Sequence, residues 1–125
     1  MAKILVIDDD ENICCLLKTR LEALKHKVLV AYDAEAGLRK IFWRKIDLII
    51  LDVKMPNQDG LAVLKKIKSS YRSKYIPVIM LSGSGDAETK GTAFRGYAEE
   101  FLDKPCDFKK LEAAIQRALS VKSPA

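Results

Sequence analysis

No apolar run in the 125-residue chain approaches the ~20 residues that a membrane-spanning helix requires. The opening Met1-Ala2-Lys3-Ile4 leads into an apolar stretch too short for a secretory signal. Both absences point to a soluble, cytoplasmic protein with no membrane partner. Cysteine is scarce: Cys14, Cys15 and Cys106 form neither an even framework nor a zinc-ligand spacing, and a bridge between neighbours 14 and 15 would be strained. They read as small apolar residues in a reducing compartment. His26 is the lone histidine and has no partner in sequence, so it is expected exposed or at a helix end. The net charge of +5 is not concentrated anywhere. Lys65-Lys66 and Lys109-Lys110 are only pairs, without interleaved aromatics, and read as solvated helix faces rather than a nucleic-acid surface. There is no internal repeat, low-complexity tract or linker before the last few residues.

What is present fits one domain. Hydrophobic residues at 49% and charged residues at 31% permit a real core and argue against disorder. The expected boundaries are 1–121 for the domain and 122–125 for a polar tail or the start of a linker. Five apolar runs stand out: Ile4 to Ile7, Val28 to Ala31, Leu48 to Leu51, Ile76 to Leu81, and a weaker one at Phe101-Leu102. Three are near-continuous in Ile, Val and Leu, the pattern of strands buried on both faces. Helix-length segments separate them. The first places Ile13, Leu16, Leu17, Leu21 and Leu24 on one face, with Asp10 as N-cap. The second runs from about Ala34 to Arg44, with Trp43 expected half-buried. The third carries Leu61, Leu64 and Ile67 after a turn at Pro56 to Gly60. The fourth, around Asp86 to Arg95, is interrupted by Gly91, and the fifth carries Phe108, Leu111, Ile115 and Leu119. Strict alternation of strand and helix predicts a doubly wound α/β domain with a five-stranded parallel sheet flanked by five helices.

Chemistry gathers at one end of these strands. Asp8, Asp9 and Asp10 follow the first strand, Asp52 the third and Ser82 the fourth, while Lys104 closes the fifth. All lie at carboxyl ends, where open α/β sheets bind ligands. With strand order 2-1-3-4-5 they would converge on one cleft. Three carboxylates together repel one another, and a hard divalent cation offsets that repulsion. Mg²⁺ suits one or two carboxylates plus a phosphate oxygen; Lys104 adds a point charge and Ser82 a hydroxyl donor. Those parts suit in-line phosphoryl transfer to a carboxylate nucleophile. Taken alone, Asp8 and Asp9 could merely cap the first helix.

Ile4-Leu5-Val6-Ile7-Asp8-Asp9-Asp10-Glu11, Leu51-Asp52-Val53-Lys54-Met55-Pro56, Asp59-Gly60, Leu81-Ser82-Gly83 and Phe101-Leu102-Asp103-Lys104-Pro105 resemble, in order, the signatures of response-regulator receiver domains. The resemblance covers about residues 3 to 120. It implies a flavodoxin-like fold of order 2-1-3-4-5, similar to chemotaxis receivers, and a place in two-component signalling or a phosphorelay. It implies Asp52 as phosphoacceptor and Asp9, Asp52 and the backbone carbonyl of Lys54 as ligands of Mg²⁺ (or Mn²⁺), with Asp8 acting through a metal-bound water. Lys104 would pair with the phosphoryl group and Ser82 would swing towards it. Phe101 would act as a second switch residue, by packing alone because it lacks a tyrosine hydroxyl. Pro105 would follow a cis peptide bond that aims Lys104 inward.

The resemblance also implies partners. A sensor histidine kinase or a histidine phosphotransfer protein would supply the phosphoryl group. A face built from the fourth helix, fifth strand and fifth helix would carry the output and could support a homodimer. Such a switch is not an enzyme on other substrates; it catalyses only its own phosphorylation and dephosphorylation. Some positions depart from the pattern or leave lifetime open: Tyr97 stands where many receivers have glycine, and Lys54 and Ser84 flank the site where hydrolysis is tuned. A phosphohydrolase of the haloacid dehalogenase type usually needs an acid two residues after its nucleophile, and Lys54 stands there. A fold-only interaction module is disfavoured by the full acid–lysine set. A flavodoxin-type cofactor binder is disfavoured by three acids where a phosphate cradle would lie.

Overall fold

The computed structural model describes residues 2–55, 58–82, 98–104 and 107–120. Five strands carry the sheet: β1 (Lys3–Ile7), β2 (Lys27–Ala31), β3 (Leu48–Asp52), β6 (Val78–Ser82) and β7 (Glu100–Asp103). They are all parallel, in the order β2-β1-β3-β6-β7. A two-residue hairpin, β4 (Lys54–Met55) with β5 (Gln58–Asp59), interrupts the series after β3. Without it, the sheet has the expected 2-1-3-4-5 order. Among the described residues there are four helices: α1 (Glu11–Ala23), α2 (Ala34–Trp43), α3 (Gly60–Ser69) and α4 (Phe108–Ser120). The expected helical segment at 86–95 lies outside the described residues, as does the tail at 122–125.

Strand periodicity divides the core into two layers. Leu5 and Ile7 of β1, Ile49 and Leu51 of β3, and Val78 and Met80 of β6 pack with α2 and α3 residues. Their alternates Ile4, Val6, Leu48, Ile50, Ile79 and Leu81 pack with α1 and α4. Both faces are therefore covered, which is why these strands read as near-continuous apolar runs rather than alternating ones. Gly37 lets α2 approach β1 closely, since a Cβ there would fall 2.5 Å from Ile7 Cδ1.

Local capping follows the sequence. The Asp10 carboxylate accepts from the amides of Asn12 and Ile13 at 2.9 and 3.2 Å, opening α1 as anticipated. The buried stripe of α1 is, however, Cys14, Leu17 and Leu21. Leu16 is 56% exposed and Leu24 lies at the surface, so the expected five-residue apolar face was drawn about one position too wide. Trp43 is also corrected: it is 75% exposed. It follows Ile41, on the buried stripe of α2, by two residues, about 200° around the helix. His26 sits just past the end of α1, half-buried, with Nδ1 accepting from the Ala2 amide at 3.2 Å. Among the described residues no helix is long and apolar enough to cross a membrane.

Candidate functional site

Asp8 follows β1, Asp52 ends β3, Ser82 ends β6 and Lys104 follows β7, so the sheet order brings them to one edge. Among the described residues the only buried acids are Asp8 and Asp52, at 1% and 4% exposure. Burying two carboxylates close together costs free energy unless a cation compensates them. Lys104 supplies one such charge: its Nζ lies 2.9 Å from Asp8 Oδ2 and 3.2 Å from Asp52 Oδ1. Burial would lower the Lys104 pKa. The hydrogen bond and charge of Asp8, followed by the charge of Asp52, outweigh it and raise the ammonium above the usual lysine range.

Asp9 is exposed and completes the group. One carboxylate oxygen each from Asp8, Asp9 and Asp52 lie within 4.8 Å of one another. Three carboxylates outnumber the one ammonium that contacts two of them, so the cluster carries an excess of negative charge. The donors are all oxygens, gathered at the spacing that a small divalent ion would bridge, so the set fits a hard cation such as Mg²⁺. Among the described residues no thiol or imidazole ligand of a softer metal joins the group.

Several contacts hold these groups still. Asp8 Oδ1 accepts from the Asp10 amide at 2.9 Å, tying the buried carboxylate to the cap of α1. Cys14 donates its Sγ–H to the Asp8 carbonyl at 3.3 Å. Burial, then the charges of Asp8 and Asp10, push that thiol up to about 12, so Cys14 is a packing residue and a weak donor, not a nucleophile. Beyond Asp52, the Val53 amide donates to the Leu81 carbonyl at 2.8 Å and the Gly60 amide to the Val53 carbonyl at 2.9 Å. Gly60 is packed so tightly that a Cβ would sit 2.5 Å from the Val53 carbonyl oxygen and 2.6 Å from that of Asp52. The hairpin returns the chain so that Lys54 faces Asp59, whose carboxylate caps α3 through the Leu61 amide at 3.0 Å. The turn read at Pro56 to Gly60 is thus partly strand, with Gly60 the first residue of α3. Sequence reasoning had Asp59-Gly60 as a motif but missed its job, because a clash with backbone two strands away leaves no local periodic signal.

Ser82 is 2% exposed. It lies one residue past Leu81, the register partner of Asp52, and its carbonyl accepts from the Lys104 amide. Phe101 pairs in register with Met80 and is buried in the α2–α3 side of the core. Pro105 lies outside the described residues, so the anticipated cis bond does too, as do Gly83, Ser84, Tyr97 and Cys106.

This arrangement, an open parallel sheet with an acid–lysine cluster at its carboxyl edge, defines a charged-ligand α/β module. The response regulator receiver domain model matches residues 4–116. The chain belongs to that family: it is a receiver domain of the two-component response-regulator type, a signalling switch. The transcriptional regulatory protein ZraR of Salmonella typhimurium is 33% identical over 117 residues, which is 94% of this chain and 26% of that protein. The chain thus spans about a quarter of the length of that relative. Among solved structures, a response regulator receiver domain protein from Clostridium thermocellum is 37% identical with a TM-score of 0.88, covering 96% of this chain and 95% of that one. The chemotaxis protein CheY4 of Vibrio cholerae is 30% identical with a TM-score of 0.89, covering 95% and 99%.

Proposed function

We propose that Asp52 is the phosphoacceptor, receiving a phosphoryl group from a phosphohistidine on a sensor kinase or phosphotransfer protein. The observation that carries this reading is the Lys104 ammonium held between Asp8 and Asp52 at 2.9 and 3.2 Å. An Asp52 carboxylate oxygen attacks phosphorus, the P–N bond to the donor imidazole breaks, and its electron pair stays on that nitrogen. Asp8, Asp9, Asp52 and the backbone carbonyl of Lys54 would hold Mg²⁺ or Mn²⁺, Asp8 chiefly through water. The metal supplies charge neutralisation for the transferring group. Lys104, already within reach of the Asp52 carboxylate, pairs with a phosphoryl oxygen once Asp52 carries the acyl phosphate. Ser82 turns towards the phosphoryl group, and Phe101 repacks in response, shifting a pre-existing equilibrium at the output face.

Catalysis on this reading is confined to the chain's own phosphorylation and dephosphorylation. One domain spans residues 1–121, and the site belongs to a cytoplasmic protein, a placement supported by the free thiols of Cys14 and Cys15. Homodimerisation through the face around β7 and α4 would be an output of the switch. Incubation with acetyl phosphate and Mg²⁺, followed by intact mass, tests the reading. One phosphoryl group is expected on the wild type and none on Asp52→Asn; an equal adduct on both would reject it.

A further inference from the structure

The opposite edge of the sheet carries an unexplained surface. Four of the chain's nine aromatic residues stand there in the open: Phe42 at 51%, Trp43 at 75%, Tyr71 at 87% and Tyr75 at 62% exposure. Phe42 and Trp43 end α2, and the two tyrosines lie on the connection from α3 to β6, so all precede the amino ends of β3 and β6. This is the edge away from Asp52, and the surface is independent of the phosphoacceptor reading. Isolated exposed aromatics are ordinary, but a cluster of them is not.

The two segments meet at Arg72. Its guanidinium lies 4.7 Å from the centroid of the Phe42 ring, and its Nη1 donates to the Phe42 carbonyl at 3.2 Å. Next to it is a groove of about 380 Å³ lined by Phe42, Trp43, Arg44, Lys45, Arg72 and Ile76, among others. A second depression of about 250 Å³ shares Trp43 and Arg44 and adds Arg39 and Lys40. Lys74 sits 5.3 and 5.1 Å from the Tyr71 and Tyr75 ring centroids. No described acid lines either depression except through its neighbours: Glu35 is already engaged with Arg39 at 3.3 Å, and Asp47 accepts from the Lys3 amide at 2.9 Å. The surface is therefore cationic and aromatic at once: Arg39 is paired with Glu35, whereas no described acid forms an ion pair with Arg44, Lys45 or Arg72.

We propose that this edge docks an acidic peptide segment of a partner protein, with a large apolar side chain of that segment in the groove beside Trp43. Charge complementarity selects the acid. Arg72 is stacked and tethered, so its remaining N–H fork is preorganised for a carboxylate. Tryptophan, tyrosine and arginine together make the composition of an interface hot spot. Single-stranded nucleic acid would need free ring faces in series. Here Phe42 has Arg72 over one face and stands edge-on to Trp43 at 77°, while Lys74 attends both tyrosines. An anionic membrane surface would suit a free amphipathic helix, but the apolar stripe of α2 (Ala34, Gly37 and Ile41) is buried in the core.

Selection of a random-peptide phage library on the whole chain, followed by fluorescence anisotropy on the enriched peptides, decides the matter. Enrichment of sequences combining Asp or Glu with an aromatic or large aliphatic residue is expected. Trp43→Ala and Arg72→Glu should each weaken those peptides by at least roughly tenfold, and added salt should weaken them further. Lys109→Glu, at an exposed position of α4, should not. Both changed residues are exposed, and an unchanged unfolding midpoint confirms that each variant folds. No enrichment, enriched peptides lacking acids, or binding that survives both substitutions would overturn the proposal. So would stronger Trp43-dependent binding of oligo-dT or of phosphatidylserine vesicles than of any selected peptide.

Discussion

The Lys104 ammonium reaches Asp8, 96 residues away in sequence, at 2.9 Å and stands 3.2 Å from Asp52. One cation thus faces both buried carboxylates of the described residues and offsets part of their charge. The whole candidate site is organised around that shared contact, because each acid is tolerable only while a positive charge faces it.

Lys104→Met removes the compensation and leaves both acids facing an apolar side chain. Breaking a buried pair from one side costs on the order of 3 kcal/mol. The metal-free variant should therefore unfold at a clearly lower urea concentration than wild type, and saturating Mg²⁺ should narrow the gap. Equal midpoints without metal would show that the two contacts carry no net stability.

Asp9 is exposed, so Asp9→Asn should leave metal-free stability within about 0.5 kcal/mol of wild type. Its effect belongs to the metal. Wild type should gain melting temperature with rising Mg²⁺, as any ligand of the folded state dictates. The variant should need at least tenfold more Mg²⁺ for the same gain, a loss of about 1.4 kcal/mol in binding. An unaltered Mg²⁺ titration would remove Asp9 from the ligand set.

How much of this could be read from the chain itself varies by residue. The sheet was legible because β1, β3 and β6 are buried on both faces and announce themselves as apolar runs. Asp8, Asp52, Ser82 and Lys104 were legible because strand ends in an α/β alternation share an edge. Leu16 and Trp43 were misplaced because helical spacing fixes a stripe but not its width or its centre. The β4–β5 hairpin was missed because two-residue strands have no periodicity. Gly60 and Cys14 act through backbone atoms of Val53, Asp52 and Asp8, and nothing in the local sequence signals that.

Two glycines separate close approach to backbone from close approach to a side chain. A Cβ at Gly60 meets only backbone within 2.7 Å, at Val53 and Asp52, whereas at Gly37 it meets the Ile7 side chain. Gly60→Ala should cost about 2–3 kcal/mol and Gly37→Ala nearer 1 kcal/mol, since Ile7 can rotate. Only the first should also weaken Mg²⁺ binding, because it displaces the segment that carries Asp52. Comparison of urea midpoints and Mg²⁺ titrations for the two variants checks the ordering; a milder Gly60→Ala would contradict it.

His26 gives a clean pH signal because it is the lone histidine. Burial lowers its pKa below the ordinary 6.5. The folded state then binds protons less readily than the unfolded one, so stability falls as pH drops through the unfolded value and the loss is complete below the folded value. Protonation of Nδ1 would also remove the acceptor of the Ala2 amide. The imidazole resonances should titrate below 6.5, and His26→Gln should flatten the stability profile between about pH 5 and 7. A midpoint above 6.5 would reverse the assigned sign.

The most direct test of the account is where the phosphoryl group resides. Wild-type protein treated with acetyl phosphate and Mg²⁺ can be reduced with borohydride, which converts an aspartyl phosphate to homoserine, and then mapped by peptide mass spectrometry. Homoserine at position 52, absent when metal is chelated, is the predicted result. Modification at Asp8, Asp9 or Ser82 with Asp52 intact, or none at all, would contradict the assignment of Asp52 as phosphoacceptor.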